Sequence, residues 1–448
     1  MTPELLRLQG AVQHYAWGVP AERSLVARLA SPRLASESPS QPCAELWLGT
    51  HPNGPARVQS RQSERRTSVD NESGSGRAEL LRKRLGRDLG FLFKVLSIDR
   101  ALSIQVHPSA NDARELHAQR PQIYKDANHK PEMALALTDF EALCGFRSMT
   151  ELKALFSNSC FTASLVALVG EECVRRFLEC QGSEWNRTLR EVVRRVLTSS
   201  QESYTAVLKQ LLATCDAVLA NDTDGTASNE DRTRAELLKR LHAQHGVDVG
   251  VITSLLLNFV QLRPGEALFL AAGEPHAYLS GDIIESMACS DNVVRAGLTP
   301  KYRDVDTLLR LLTYRTGAPL SVSPVHMQQQ VGDTSLSLSL YVPPVSDVDE
   351  FAVLLCELRH AETSHTRTSD CCELPHMRGD TVALVLDGEG CIATRTGPND
   401  DERRLQLHRG DGVYLRGDVE LQSASYLRVA FCLGANDIDV QQFASVAS

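Results

Sequence analysis

The sequence predicts a mainly β protein with an inserted helical domain, in which two β modules are candidates for double-stranded jelly rolls. Three observations predict it. From Gln41 to Val58 and from Leu89 to Phe146, short apolar runs such as Phe91-Leu92-Phe93-Lys94-Val95-Leu96 alternate with Pro, Gly, Asn and Asp, the pattern of strands and turns. From about Met149 to Phe259 the apolar residues recur instead at three and four, as in Leu189, Val192, Val193 and Val196, and glycines thin out. Strand character then returns twice in a similar form, a glycine turn followed by an apolar run, at Val260 to Leu270 and at Leu407 to Leu415.

The elements follow in order. Between the first two strand-rich stretches, Ser60 to Arg77 is Ser-, Arg-, Glu- and Gly-rich with almost no apolar side chain, so burial cannot offset its ordering entropy and a surface insertion is expected. Leu165, Leu168 and Val169 open the helical spacing, and Leu237, Leu238 and Leu241 continue it beyond Asn221 to Asp231, whose composition predicts a second exposed loop. Pro264-Gly265 marks the turn at which strands resume. The last third, from about Ser321, is dominated by β-branched and Leu alternation, as in Thr381-Val382-Ala383-Leu384-Val385-Leu386. It holds histidines at 326, 360, 365, 376 and 408, and a structural β domain is expected there in preference to a second metal site.

At 448 residues the chain exceeds the roughly 250 to 300 at which one core stops growing, so two or three domains are expected. A net charge of -9 argues against a general binder of nucleic acid or anionic membrane, and an anionic substrate would need a local basic pocket. Twelve cysteines without a CxxC pair read as reduced thiols. With no basic leader, no apolar run of about 18 residues and no Ser-Lys-Leu end, a soluble cytoplasmic protein is expected.

The chemistry concentrates between Ala101 and Glu132. On an extended strand, side chains two apart face the same way, so Gln105 and His107 in Leu102-Ser103-Ile104-Gln105-Val106-His107-Pro108 can reach one cation. A carboxylate and a second imidazole would complete a site. Glu132, in Asn128-His129-Lys130-Pro131-Glu132, and His276, in Gly273-Glu274-Pro275-His276-Ala277-Tyr278, are the candidates, and the resulting set suits zinc with positions open to substrate. A lone histidine is more often structural, but Pro108 ends a strand just after His107 and His276 follows Pro275 at the end of another, and a jelly roll gathers such ends at one mouth. Glu132 has a second reading as the first turn of a helix opened by Pro131. Downstream, Gly281 to Lys301 supplies Glu285, Asp291, Arg295 and Lys301. With Lys94 and Lys130, the cations Arg295 and Lys301 either build a pocket for an anion or are solvated strand edges. No Walker loop, GxSxG elbow, GxGxxG or HExxH is present.

In this order the residues resemble one family, the type I mannose-6-phosphate isomerases, also called phosphomannose isomerases. The matching runs are Gln13 to Gly18, Ala44 to Pro52, Phe91 to Val95, Leu102 to Pro108, Asp126 to Met133, Gly273 to Tyr278 and Ser290 to Lys301. The resemblance implies one Zn2+ per chain on Gln105, His107, Glu132 and His276, with Arg295 catalytic. Lys130, Glu285 and Asp291 would be further catalytic groups, and Lys94, Ser103 and Lys301 would bind substrate and its phosphate. It implies a discontinuous cupin-type catalytic domain (1–148 and 260–325), a helical insertion (149–259) and a C-terminal jelly roll (326–448).

The activity implied is reversible interconversion of mannose 6-phosphate and fructose 6-phosphate through an enediol, feeding GDP-mannose synthesis and mannose catabolism. The expected protein is a cytoplasmic monomer with a phosphosugar substrate and neither nucleic acid nor membrane as partner. The proton-transfer base stays open among Glu285, Asp291, Lys130 and a water at the zinc site. His14 stands where Asn is usual, Ala56 where Ser is common and Gly273 where Asn is usual; none is a ligand. Two other functions compete: an iron-dependent cupin dioxygenase, against which the neutral Gln105 argues, and a non-catalytic cupin binding a sugar phosphate.

Overall fold

A computed structural model describes residues 4–59, 78–220, 228–361, 370–394, 403–423 and 425–439. Strand makes up 36% and helix 31%, so the protein is mixed rather than mainly β. The expected insertion Ser60 to Arg77 lies outside the described residues, as do 221–227 of the second expected loop. The rest of that loop belongs to a helix: Ser228 caps Asn229–His245 by accepting from the amide of Asp231.

Two large antiparallel sheets carry the fold. In the first, Leu320–Val322, Ala267–Leu270, Glu132–Ala136, His276–Ala288, Phe91–Ile98, Glu45–Leu48 and Ala11–Gln13 lie side by side. His276–Ala288 is common to both halves of this sheet. Its later residues pair with Phe91–Ile98 and Glu132–Ala136, its earlier ones with Phe140–Phe146 and Ile104–Val106. The change of partner falls at Gly281, whose φ of +106° lets the strand bend, and a Cβ there would lie 2.4 Å from the Asp139 carbonyl oxygen. Glu132 therefore lies on a strand, not in a helical first turn, and His276 opens a strand instead of closing one.

The second sheet is built from the C-terminal region, yet the N-terminal strand Glu4–Gln9 joins it, pairing Leu5 with Leu415. The two sheets pack face to face through one core holding Leu46, Phe93, Val95, Phe269 and Ile284 from the first and Val353, Val382, Leu384 and Tyr414 from the second.

The helical block starts where the spacing predicts, at Met149, with a capping box: Ser148 accepts from the Glu151 amide while Glu151 accepts from the Ser148 amide. It ends earlier than predicted, since Leu257–Leu262 is already a strand. Its apolar faces pack on the strands that carry the site. Ile104, Val106, Ala277, Val294 and Ala296 all enter the helical core. Because strand side chains alternate, the intervening Gln105, His276 and Arg295 point away from the helices, toward the interior. Among the described residues no single helix is long and apolar enough to cross a membrane.

His129, just before the strand Glu132–Ala136, forms an ion pair with Glu350, just before Ala352–His360 of the second sheet. The Glu350 hydrogen bond raises the pKa of His129, while the same contact lowers that of Glu350 against the effect of burial. A raised imidazole stabilises the fold fully below its unfolded value and loses that contribution as pH rises through its folded one; the lowered carboxyl loses its own as pH falls. The stability gap between the protein and Glu350→Gln should be widest at roughly pH 4.5 to 6.5, about 1 kcal/mol, and close at higher pH. Thermal unfolding at pH 6 and pH 9 measures it, and an equal gap at both would refute the linkage.

Candidate metal centre and substrate cleft

The interior-facing side chains of three neighbouring strands stand abreast. In register, Gln105 lies between His276 on one side and Arg295 on the other. His107, just past the end of Ile104–Val106, and Glu132, at the start of its own strand, complete the group. His107 and His276 are fully buried and Glu132 is nearly so.

The two imidazoles are fixed by their outer nitrogens. His107 Nδ1 lies 2.8 Å from the Asn292 carbonyl and His276 Nδ1 2.9 Å from the Glu274 carbonyl. A carbonyl only accepts, so each Nδ1 carries the hydrogen, and in the neutral ring Nε2 presents a lone pair. Burial lowers the pKa of His107 to about 4 and keeps it neutral. Both lone pairs face one carboxylate oxygen, with Glu132 Oε2 3.3 Å from His107 Nε2 and 3.4 Å from His276 Nε2. Among the described residues, His107 Nε2 and Glu132 Oε2 are buried without a hydrogen-bond partner. Three electron-rich atoms converging without a proton between them are a costly arrangement in an empty protein interior and the natural one around a cation. The geometry thus defines a group able to hold a metal ion, the only such His/Cys/Asp/Glu group among the described residues. Gln105 adjoins it, its amide nitrogen 3.5 Å from His276 Nε2, and a half-turn of the amide exchanges that nitrogen for an oxygen donor.

Around this centre the charges alternate. Lys130 Nζ holds the other Glu132 oxygen at 2.8 Å. Burial would push the Glu132 pKa up, but the Lys130 ammonium ion outweighs it and holds the carboxyl well below its usual range. Lys94 pairs with Glu285 at 2.8 Å and with Glu45 at 3.6 Å, over the ring of Trp47. Burial would lower the Lys94 pKa, but the two carboxylates more than reverse this, so it stays an ammonium ion. Glu285 is pushed up by burial and by the nearby Glu132 and Glu45 carboxylates, despite Lys94. Asp291 is held down by hydrogen bonding to His51, 3.3 Å away.

All these groups open on one cleft of about 1200 Å³. Lys94, Ser103, Gln105, Lys130, Glu132, Glu285, Asp291, Arg295 and Lys301 line it, while His107 and His276 lie buried beneath. Every residue singled out from the sequence is thus brought to one place. Arg295 is half-buried, its pKa lowered by burial alone, with no carboxylate partner among the described residues. Lys301 stands exposed at the rim.

Three groups escaped the sequence reading. Glu45 and His51 lie in Ala44 to Pro52, but only strand pairing, which sets Trp47 beside Lys94, links that run to the site. Tyr278 is two residues from His276, the same spacing that singled out Gln105 and His107, and it is buried at the cleft. Of the C-terminal histidines, those described take no part in any metal group, and His365 lies outside the described residues.

A cation-holding floor beneath a rim bearing an unpaired guanidinium and an exposed ammonium group defines a protein class: an enzyme for a small anionic substrate handled beside a metal ion. Comparison with known proteins narrows this. The family described as phosphomannose isomerase type I, catalytic domain, matches residues 5–149. Mannose-6-phosphate isomerase 2 of Arabidopsis thaliana is 36% identical, over 93% of this chain and 90% of its own length. The mannose-6-phosphate isomerase of Mus musculus is 38% identical, over 86% and 90%. A crystal structure of a mutant phosphomannose isomerase from Salmonella typhimurium superposes with a TM-score of 0.68 at 28% identity, covering 96% of this chain and 99% of that one. A mannose 6-phosphate isomerase bound with zinc and yttrium superposes with a TM-score of 0.65 at 27% identity, over 96% and 99%. The chain belongs to the type I phosphomannose isomerases.

Proposed function

We propose that Zn2+ is the ion held by Gln105, His107, Glu132 and His276, and that mannose 6-phosphate is converted to fructose 6-phosphate beside it. The chain is an isomerase of mannose 6-phosphate, so the dioxygenase and non-catalytic readings fall away. The observation that carries the zinc reading is the convergence of two imidazole lone pairs and an orphan carboxylate oxygen, with an amide within reach. A zinc-bound relative supports it.

The chemical difficulty is removing a proton from carbon next to a carbonyl. When bound, a divalent cation supplies Lewis acidity that stabilises negative charge developing on the sugar oxygens. The chain supplies the rest. Arg295, one strand from Gln105 and without an ion-pair partner among the described residues, offers its fork to the developing oxyanion or to the phosphate. Lys301 and Ser103 line the cleft and are assigned to the phosphate. Lys94 is assigned differently from the expectation: two carboxylates already neutralise it, so it holds Glu285 in place instead of meeting the phosphate.

Each candidate side-chain base has a partner, Lys130 being tied to Glu132, Asp291 to His51 and Asn53, and Glu285 to Lys94. Glu285, whose burial among carboxylates raises its pKa, is the group best suited to take a proton from carbon and return it.

We also read the two antiparallel regions as cupin-type jelly rolls, with a catalytic domain of 1–148 and 260–325, a helical insertion of 149–259 and a C-terminal domain of 326–448. The facing sheets support the reading, and Glu4–Gln9 crosses that division by pairing with Gly412–Arg416.

Exhaustive chelation followed by a coupled assay on mannose 6-phosphate tests the function. Turnover should fall to background and return on adding Zn2+. Full activity in protein shown to be metal-free would remove the ion from the reaction.

A further inference from the structure

We infer that Asp248, contributed by the helical block, is a positioning residue for the phosphate side of the cleft, acting by fixing the backbone between Arg295 and Lys301. The inference rests on the assignment of Arg295 and Lys301 to the substrate's anionic end.

One carboxylate ties three amides on two distant segments. Asp248 Oδ1 accepts from Gly250 at 2.6 Å, capping its own short helix, and also from Leu298 at 2.8 Å; Oδ2 accepts from Thr299 at 3.2 Å. The segment it grips needs holding. Leu298 has a φ of 54°, a left-handed conformation that costs a side-chain-bearing residue energy unless its surroundings impose it. Beside it the two backbones meet through glycines, since a Cβ on Gly250 would lie 2.3 Å from the Leu298 nitrogen and one on Gly297 2.5 Å from the Gly250 Cα.

Four residues earlier the block grips the opposite lip. The Gln244 side chain accepts from the Ala101 amide at 3.0 Å, and its carbonyl accepts from Arg100, on the segment that leads to Ser103 and Gln105. Both Gln244 and Asp248 line the cleft. The helical block thus spans the two lips that carry the substrate's cationic and hydroxyl contacts. With no ion-pair partner among the described residues, the half-buried guanidinium depends on its backbone for its aim, so releasing Leu298 and Thr299 should misplace Arg295 and Lys301 together.

A mere helix cap would change stability and leave substrate affinity alone, which separates the two roles. Asp248→Ala and Asp248→Asn are assayed as zinc-loaded full-length protein at a temperature where circular dichroism shows each folded. For Asp248→Ala, KM for mannose 6-phosphate should rise about tenfold or more, and inorganic phosphate should weaken as a competitive inhibitor by a similar factor, while kcat stays within about threefold and zinc content is unchanged. Asp248→Asn keeps an oxygen for Gly250 and Leu298 but turns an NH2 group on the Thr299 amide, so its KM should rise by an intermediate factor, about threefold. In a Lys301→Ala background the effect of Asp248→Ala on KM should shrink, because the two act on one contact.

Unchanged KM and phosphate inhibition in folded Asp248→Ala would overturn the inference, as would a loss confined to stability. Should the alanine variant not fold, the asparagine variant decides: it must raise KM measurably with kcat kept, and an unchanged KM refutes the role. If Lys301→Ala alone leaves KM and phosphate inhibition untouched, the phosphate assignment fails, and Asp248 is then judged on KM alone.

Discussion

Glu132→Gln should empty the metal site and abolish turnover. Glu132 is the sole anionic member of the proposed ligand set, and its Oε2 is the atom that both imidazoles face. An amide offers one weak neutral oxygen in its place, so metal affinity should fall by about 10²-fold or more and kcat by about 10³-fold or more. The substitution acts a second time through Lys130. That ammonium ion is nearly buried, and its one ion-pair partner among the described residues is Glu132 at 2.8 Å. Leaving it uncompensated should destabilise the protein by about 3 to 5 kcal/mol. Metal content after gel filtration, a coupled assay and a denaturant titration read the three effects. A variant that retains its metal and a tenth of its activity would take Glu132 out of the ligand set.

Arg295→Ala should leave the metal in place and still lower kcat by about 10²- to 10³-fold, the cost of losing a preorganised donor aimed at developing charge. No structural penalty should accompany it, because the guanidinium makes no ion pair among the described residues and its burial is unfavourable to the charge. Unfolding should therefore be unchanged or slightly improved. That combination, stable and metal-replete but slow, separates Arg295 from the ligands; near-normal turnover would sink the assignment. Arg295→Lys should recover little, since a point charge on a flexible stem does not reproduce the planar fork.

Much of the site was legible because its spacing is local. Gln105 and His107 are two residues apart, and alternation on a strand commits both to one face wherever the strand goes. Arg295 was less legible: its apolar neighbours Val294 and Ala296 leave it either in a pocket or at a solvated strand edge, and only the family resemblance chose the pocket. The helical block was legible from its 3.6-residue period, although its end was set too late because the apolar run around Leu257 suits either a helix or a buried strand.

What could not be read was pairing. Pro131 made Glu132 ambiguous between helix and strand, and ladder bonds to the strands Ala267–Leu270 and His276–Ala288 decided it. Nothing in the spacing says that Lys94 is paired with Glu285 and Glu45, which lie 191 and 49 residues away in the chain. The place of Glu4–Gln9 in the C-terminal sheet was invisible for the same reason.

The sequence by itself thus determined which side chains share a face, because backbone geometry fixes the periods of strand and helix whatever surrounds them. Only the tertiary structure decided which faces meet. Register across strands, the bend at Gly281 and the grip of Asp248 on Leu298 and Thr299 depend on contacts between distant segments, whose energies no local pattern records.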